Sequence, residues 1–122
     1  MSTIDWSKLI TRKMKAAAAA AQAFAAAKVI LVSRNAAASE QIRRVQDRID
    51  TLGYGIDIGA ATEQDEVELA ALTLSLKAWK SYKFALGKVA TQATWPSAPN
   101  WPAVPAAPEI AADPLALAPN AV

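Results

Sequence analysis

The sequence contains neither cysteine nor histidine, and each absence excludes a class of protein. Without cysteine there is no disulfide framework and no thiolate zinc site. Without histidine there is no Ser-His-Asp triad and no imidazole acid–base pair. The four glycines form no phosphate-binding loop, because GYGIDIG lacks the lysine and the hydroxyl that such a loop requires. We therefore expect a protein that is not an enzyme, with no catalytic residues, no cofactor and no metal.

Large apolar residues are also scarce. The chain has 122 residues and is 53% apolar, but much of that fraction is alanine, which contributes little burial energy per residue. A chain of this length is at most one domain. The composition favours an all-α, elongated helical hairpin over a compact α/β domain.

Charge is unevenly distributed along the chain. Residues 1–48 carry nine Lys or Arg, residues 49–76 carry six acids and no base, and residues 77–88 carry four lysines. This pattern indicates internal pairing of a basic arm with an acidic one. We expect no nucleic-acid partner, because no recognition module is present.

The alanine-rich run at residues 16–32 superficially resembles a signal peptide or a membrane span. Alanine is close to neutral for membrane insertion, Lys28 interrupts the run, and Arg34 follows it. We therefore expect no membrane partner.

A long first helix is predicted over about residues 12–51, preceded by an extended segment at 1–11. Ser7 or Thr11 can cap it, and no glycine or proline follows until Gly53. A helix of that length, about 60 Å, needs a partner along its side.

Apolar residues in this helix alternate at steps of three and four, which predicts a coiled-coil-like seam. The seam comprises Ile10, Met14, Ala17, Ala21, Phe24, Lys28, Leu31, Asn35, Ala38, Ile42, Val45, Ile49 and Leu52. Asn35 either sets a register or oligomeric state, as single polar seam residues do, or marks a surface face.

Three glycines, Gly53, Gly55 and Gly59, predict the end of the first helix and a reversal. Thr62 followed by Asp65 is a capping-box variant, so a second helix is predicted over about 63–90. Its apolar face comprises Leu69, Leu72, Leu76, Trp79 and Leu86, widened by Leu74, Tyr82, Phe84 and Val89. Residues 12–92 are therefore expected to form an antiparallel hairpin.

Every proline lies in the segment that follows, and two tryptophans directly precede prolines there. Residues 93–122 are therefore expected to form an extended Trp/Pro-rich segment. Trp95 and Trp101 either fold back on the hairpin or contact a partner. From Ala106 onward we expect a flexible tail, or one ordered only on a partner.

The block LKAWKSYKFALGKV, followed by NWPAVP, resembles the tail fibre assembly proteins of bacteriophages and phage-tail-like bacteriocins. That family carries a W-x-x-Y motif on a C-terminal helix and ends in W-P-x-x-P. Here Trp79 and Tyr82 match the first motif, and Trp101, Pro102 and Pro105 match the second. The acidic, threonine-capped stretch before Trp79 and the opening IDWSKLITRKMKAAAAAA are also similar. The usual arginine after the tyrosine is replaced by Lys83.

The resemblance implies a chaperone that binds the C-terminal, receptor-binding tip of a trimeric tail fibre and assists its folding or trimerisation. It would act in the cytoplasm of the bacterial host or stay attached to the fibre tip. The expected partner-binding residues are Trp79, Tyr82, Leu86, Trp95, Pro96, Trp101, Pro102 and Pro105.

Two other functions fit the same residues. A structural coiled-coil component of a virion or scaffold would form a permanent homo-oligomer through the seam at Ile42, Val45 and Ile49. A membrane-active helix over residues 12–32 is the third hypothesis.

Overall fold

The fold consists of two packed α-helices followed by turns and irregular chain. The computed structural model describes residues 6–110, and that part of the chain contains no strand. Helix α1 spans Trp6–Asp57 and helix α2 spans Glu63–Val89, with 52 and 27 residues. At 1.5 Å per residue they are about 78 Å and 40 Å long. The helices form a hairpin, and the first third of α1, residues 6–23, extends beyond it; we call this segment the arm.

The first helix begins earlier than the sequence indicated. Residues 6–11, expected to be extended, are helical from Trp6 onward, and residues 1–5 lie outside the described range. Thr11 does not cap the helix. Its hydroxyl donates to the Ser7 carbonyl at 2.7 Å, a bond that lies within a helix. No glycine or proline interrupts this stretch, so the alanine-rich helix continues into it.

Of the three glycines expected to end α1, Gly59 is the one that does so. The helix continues through Gly53 and Gly55 to Asp57, because neither of these residues has the positive φ that stops a helix. Gly59 has φ +75°; its N–H donates to the Ile56 carbonyl at 3.1 Å, and the Ala60 N–H donates to the Gly55 carbonyl at 2.8 Å. These two bonds are a Schellman motif, with glycine at its left-handed position.

The predicted start of α2 is confirmed. The Asp65 N–H donates to the Thr62 hydroxyl at 3.2 Å, and the Thr62 N–H donates to the Asp65 carboxylate at 2.9 Å. Two orphan donors at the helix start are thus satisfied reciprocally. The helix ends at Val89, one residue before the predicted end.

Two clusters of buried side chains hold the hairpin together. The cluster toward the arm comprises Ala38, Trp79, Tyr82, Leu86 and Val89, with Leu31, Ile42, Trp95 and Trp101 packed against it. The cluster toward the α1–α2 turn comprises Val45, Leu52, Leu72, Leu76 and Ile110, with Ile42, Ile49 and Leu69. The seam residues Ile42, Val45 and Ile49 therefore pack within their own chain.

Two residues predicted to widen the apolar face of α2 are exposed to solvent. Leu74 is 71% exposed and Phe84 is 70% exposed, whereas Tyr82 and Val89 are buried. The apolar face of α2 is wider than α1 alone can cover. The C-terminal segment covers one flank of it and leaves the other in solvent.

The basic and acidic stretches of the sequence do not pair with each other along their length, although the charge pattern predicted that they would. Arg48 and Glu68 join the helices near the turn, with two bonds of 2.7 and 3.0 Å. Lys83 also crosses between them, donating to the Asn35 side-chain oxygen at 2.8 Å. The basic residues at 12–15, however, lie more than 60 Å along α1 from Asp57, by about 1.5 Å per residue. The elongated molecule, which we call the rod, is therefore positively charged at the arm and negatively charged at the α1–α2 turn.

Acid is expected to weaken the turn end of the hairpin. The bond from Arg48 holds the pKa of Glu68 below its usual range, and the bond from the Thr62 backbone lowers the pKa of Asp65. A lowered folded-state pKa contributes stability that is present above the ordinary carboxyl range and lost as pH falls through the folded value.

Urea unfolding at pH 7 and pH 3 checks this expectation. At pH 7, Glu68→Gln is expected to cost about 1 kcal/mol, because the ion pair with Arg48 is partly buried but still open to solvent. Below about pH 4 the difference between wild type and variant should shrink, because wild-type Glu68 becomes protonated as well. A cost that is equal at both pH values would contradict the role given to this carboxylate.

Helix α1 meets the length and hydropathy criteria for a membrane span. The relevant window has a mean hydropathy of 1.6 and is 6% buried. Signal sequences and core helices of soluble proteins pass the same test, so this observation alone assigns no membrane role.

Candidate interaction surface

The chain after α2 folds back along the hairpin. The Trp79 indole N–H donates to the Ala106 carbonyl at 3.2 Å, and Ile110 is buried in the cluster near the turn. Residues 106–110, expected to be flexible or ordered only on a partner, therefore pack on the protein itself; residues 111–122 lie outside the described range. The bond from Trp79 and the burial of Ile110 therefore hold residues 106–110 at two positions along the hairpin.

A side-chain amide fixes the turn that precedes this return. The Gln92 side chain accepts from the Asn100 N–H at 2.7 Å and donates to the Asn100 carbonyl at 2.8 Å. Both backbone groups of Asn100 are thereby satisfied by one amide, which imitates a backbone pairing. The loop between them, which contains a cis peptide bond between Trp95 and Pro96, is closed at its base.

Four side chains form what we call the aromatic corner, where the hairpin meets the arm: Phe24, Arg34, Trp95 and Trp101. Trp95 makes edge-to-face contacts with Phe24 and with Trp101, with ring centroids 6.4 Å apart in both pairs. The Arg34 guanidinium lies 5.0 Å from the centre of the Trp101 ring. Such aromatic and cation–π contacts each add about 0.5–1.5 kcal/mol at partly exposed sites. Both tryptophans are half-buried and pack on their own hairpin.

The structure divides the eight expected partner-binding residues into two groups. Trp79, Tyr82 and Leu86 are buried in the hairpin, where the Trp79 and Tyr82 rings meet edge to face at 5.6 Å. A partner could reach them only if the C-terminal segment moved away. The other five are half-buried at the surface: Trp95, Pro96, Trp101, Pro102 and Pro105. Partner contact stays a prediction for all eight.

Beside the aromatic corner, α1 exposes an apolar strip that we call the Val29 strip, formed by Phe24, Val29 and Val32. An open, almost wholly apolar cleft runs along it and is also lined by Lys28 and Ser33. Phe24 lies one helical turn from Lys28, and Val29 lies one turn from Val32, on the side that α2 leaves uncovered. The strip is continuous with the half-buried tryptophans, so a partner could contact both together.

Sequence reasoning missed the part played by Ile110, Gln92 and Arg34. One signal was available for Ile110, because it is the large aliphatic residue in residues 105–114, which otherwise consist of proline, alanine and acidic residues. The contacts of Gln92 and Arg34 had no signal, since amides and guanidinium groups are ordinary on helix surfaces. Among residues 6–110, no group of three acidic side chains converges as a metal site.

No family model, curated protein or solved structure matches this chain.

Proposed function

We propose that this protein is a tail fibre assembly chaperone, which binds the receptor-binding tip of a trimeric bacteriophage or bacteriocin fibre while the fibre folds. The motif order from Trp79 to Pro105 supports the proposal through its resemblance to that family. The observation that carries it is the Val29 strip, an uncovered apolar surface adjoining the half-buried Trp95 and Trp101. Exposed apolar patches of this kind mark interaction sites.

An unfinished β-rich fibre offers two features that this surface fits. Its unpaired apolar side chains would pack on the Val29 strip, with the tryptophan rings as anchors. An exposed sheet edge could pair with the irregular chain around Pro102 and Pro105, which lies in the Trp/Pro-rich segment predicted from the sequence to be extended. The protein would act in the cytoplasm of the bacterial host, with retention on the fibre tip as the alternative fate.

The alternative function, a permanent coiled-coil scaffold, receives less support. Its seam at Ile42, Val45 and Ile49 is covered by α2 of the same chain. A homo-oligomer through those residues would have to displace the helix that already packs there.

Co-expression with the neighbouring fibre gene tests the proposed function. We expect the fibre to be recovered as a soluble trimer with the wild-type protein and as aggregate without it. Val29→Asp combined with Val32→Asp should abolish fibre recovery, because two carboxylates would enter the apolar contact. Trp95→Ala with Trp101→Ala should also reduce it, but with a loss of thermal stability.

The matched control is Ile58→Asp, an exposed aliphatic residue at the α1–α2 turn, away from both the strip and the irregular chain around Pro102 and Pro105. This variant should support fibre recovery as wild type does. Circular dichroism establishes that all variants keep their helix content. A fibre that is equally soluble and trimeric without this protein would refute the chaperone function.

A further inference from the structure

The arm presents an apolar stripe that nothing in the described chain covers. Ile10, Met14, Ala17 and Ala21 continue the same seam that packs against α2 further along α1, and Met14 is 66% exposed. The arm is helical without a core because alanine has the highest helix propensity. The arm therefore exposes a surface suited to helix packing beyond the end of its own hairpin.

The arm is also strongly basic. Residues 6–39 contain six Lys or Arg and no acid, and Arg12, Lys13 and Lys15 are clustered on the arm itself. Two arms packed on each other would bring these clusters or Lys28 together in either direction, which is electrostatically unfavourable. The surface that covers the arm should therefore be acidic.

An acidic surface with a matching stripe lies at the other end of the same molecule. On α2, Val67 is 70% exposed and shares an uncovered face with Ala71, Leu74 and Ala78. The first turn of this helix carries Glu63, Asp65 and Glu66. The positive and negative ends of the molecule thus each have an apolar stripe that no other part of residues 6–110 covers.

The two stripes have the same spacing. Ile10, Met14, Ala17 and Ala21 follow steps of four, three and four, as do Val67, Ala71, Leu74 and Ala78. Aligned side by side in parallel, large residues meet small ones at two of the four levels: Met14 faces Ala71, and Leu74 faces Ala17. Such alternation lets two helices pack closely over about three turns. In this alignment the basic and acidic clusters lie within about 10 Å along the axis, near one Debye length.

We propose that the arm of one molecule packs on the Val67–Ala78 stripe of a second copy, and that the contact is reciprocal. When the two rods lie antiparallel, each arm runs alongside the other molecule's α2, starting from the turn end. Both contacts form at once around a two-fold axis, so the assembly closes as a dimer. The contact ends at Ala21, three residues before Phe24 of the Val29 strip, and the inference does not depend on a fibre partner.

Sedimentation of the full-length protein at low ionic strength tests the dimer. We expect a mass approaching twice the 12.9 kDa of one chain, falling on dilution and on addition of salt. Leu74→Asp should make the protein monomeric, because it places a carboxylate in each contact. Phe84→Asp, at an equally exposed position of the same helix outside the stripe, should leave the dimer intact.

A charge exchange tests reciprocity. One variant carries Arg12→Glu, Lys13→Glu and Lys15→Glu; the other carries Glu63→Lys and Glu66→Lys. Each alone has two repulsive contacts and should dimerise at least tenfold more weakly. An equimolar mixture should recover the dimer, because in the mixed pair both contacts again join opposite charges. A wild-type monomer at every concentration, a dimer indifferent to both reversals, or a mixture that stays monomeric would each overturn the proposal.

Discussion

Replacing Trp79 by alanine is expected to lower the free energy of unfolding by about 3–5 kcal/mol, the range for large aromatic side chains removed from a core. Trp79 is 4% exposed and belongs to the buried cluster toward the arm. The substitution removes its edge-to-face contact with Tyr82 and its bond to the Ala106 carbonyl. The loss is therefore shared between the helix pair and the C-terminal segment.

Thermal unfolding followed by circular dichroism measures this effect. We expect the midpoint to fall by about 10 °C or more for a chain of this size. Phe84→Ala, an exposed aromatic on the same helix, should change stability by less than about 0.5 kcal/mol. Trp79→Phe should fall between the two, since it keeps a ring but loses the indole donor. A midpoint for Trp79→Ala within about 2 °C of wild type, which corresponds to less than about 1 kcal/mol, would contradict this account of the core.

Removal of the C-terminal segment is expected to have the second large effect. A chain ending at Gln92 loses Trp95, Trp101 and Ile110, each of which packs on the hairpin. Burial of a large apolar side chain contributes about 1.5–3 kcal/mol when complete, so the combined loss approaches the total stability of a small domain. We expect α2 to detach, because Trp79 and Val89 would be left facing water.

The reference for this experiment is a chain ending at Ile110, which retains every described contact. It should unfold cooperatively in urea, whereas the chain ending at Gln92 should show a broad transition at lower urea and bind a dye specific for exposed apolar surface. Single substitution Ile110→Asp should reproduce part of the loss without shortening the chain. Equal urea midpoints for the two chain lengths would show that the segment is a passive appendage.

These stability effects bear on how the chaperone proposal should be tested. Because Trp95 and Trp101 support the hairpin, their removal alters the fold as well as any partner surface. A binding defect in that variant alone would therefore be ambiguous. Val29 and Val32 are the cleaner probe, since both side chains are exposed and belong to neither buried cluster.

Local signals in the sequence account for the helices and the turn between them. Thr62 and Asp65 identify the start of α2 because a capping box depends only on residues three apart. Gly59 ends α1 because only glycine takes its left-handed conformation without strain. The three-and-four spacing identified Val45 and Leu52 as core. It did not show that Gly53 and Gly55 continue the helix, since glycine permits either conformation.

The sequence by itself determined an all-helical hairpin with a capped second helix, because helix propensity, capping and spacing act between residues a few positions apart. Only the tertiary structure decided which apolar faces are covered. Trp79 bonds to Ala106, and Ile110 packs beside Val45, through contacts that span long stretches of chain. Leu74 and Phe84 are as apolar as Leu72 and Leu86, yet they are exposed because nothing within residues 6–110 passes over their side of α2. Which apolar face is buried depends on the path of the C-terminal segment along the hairpin, and local sequence patterns do not predict that path.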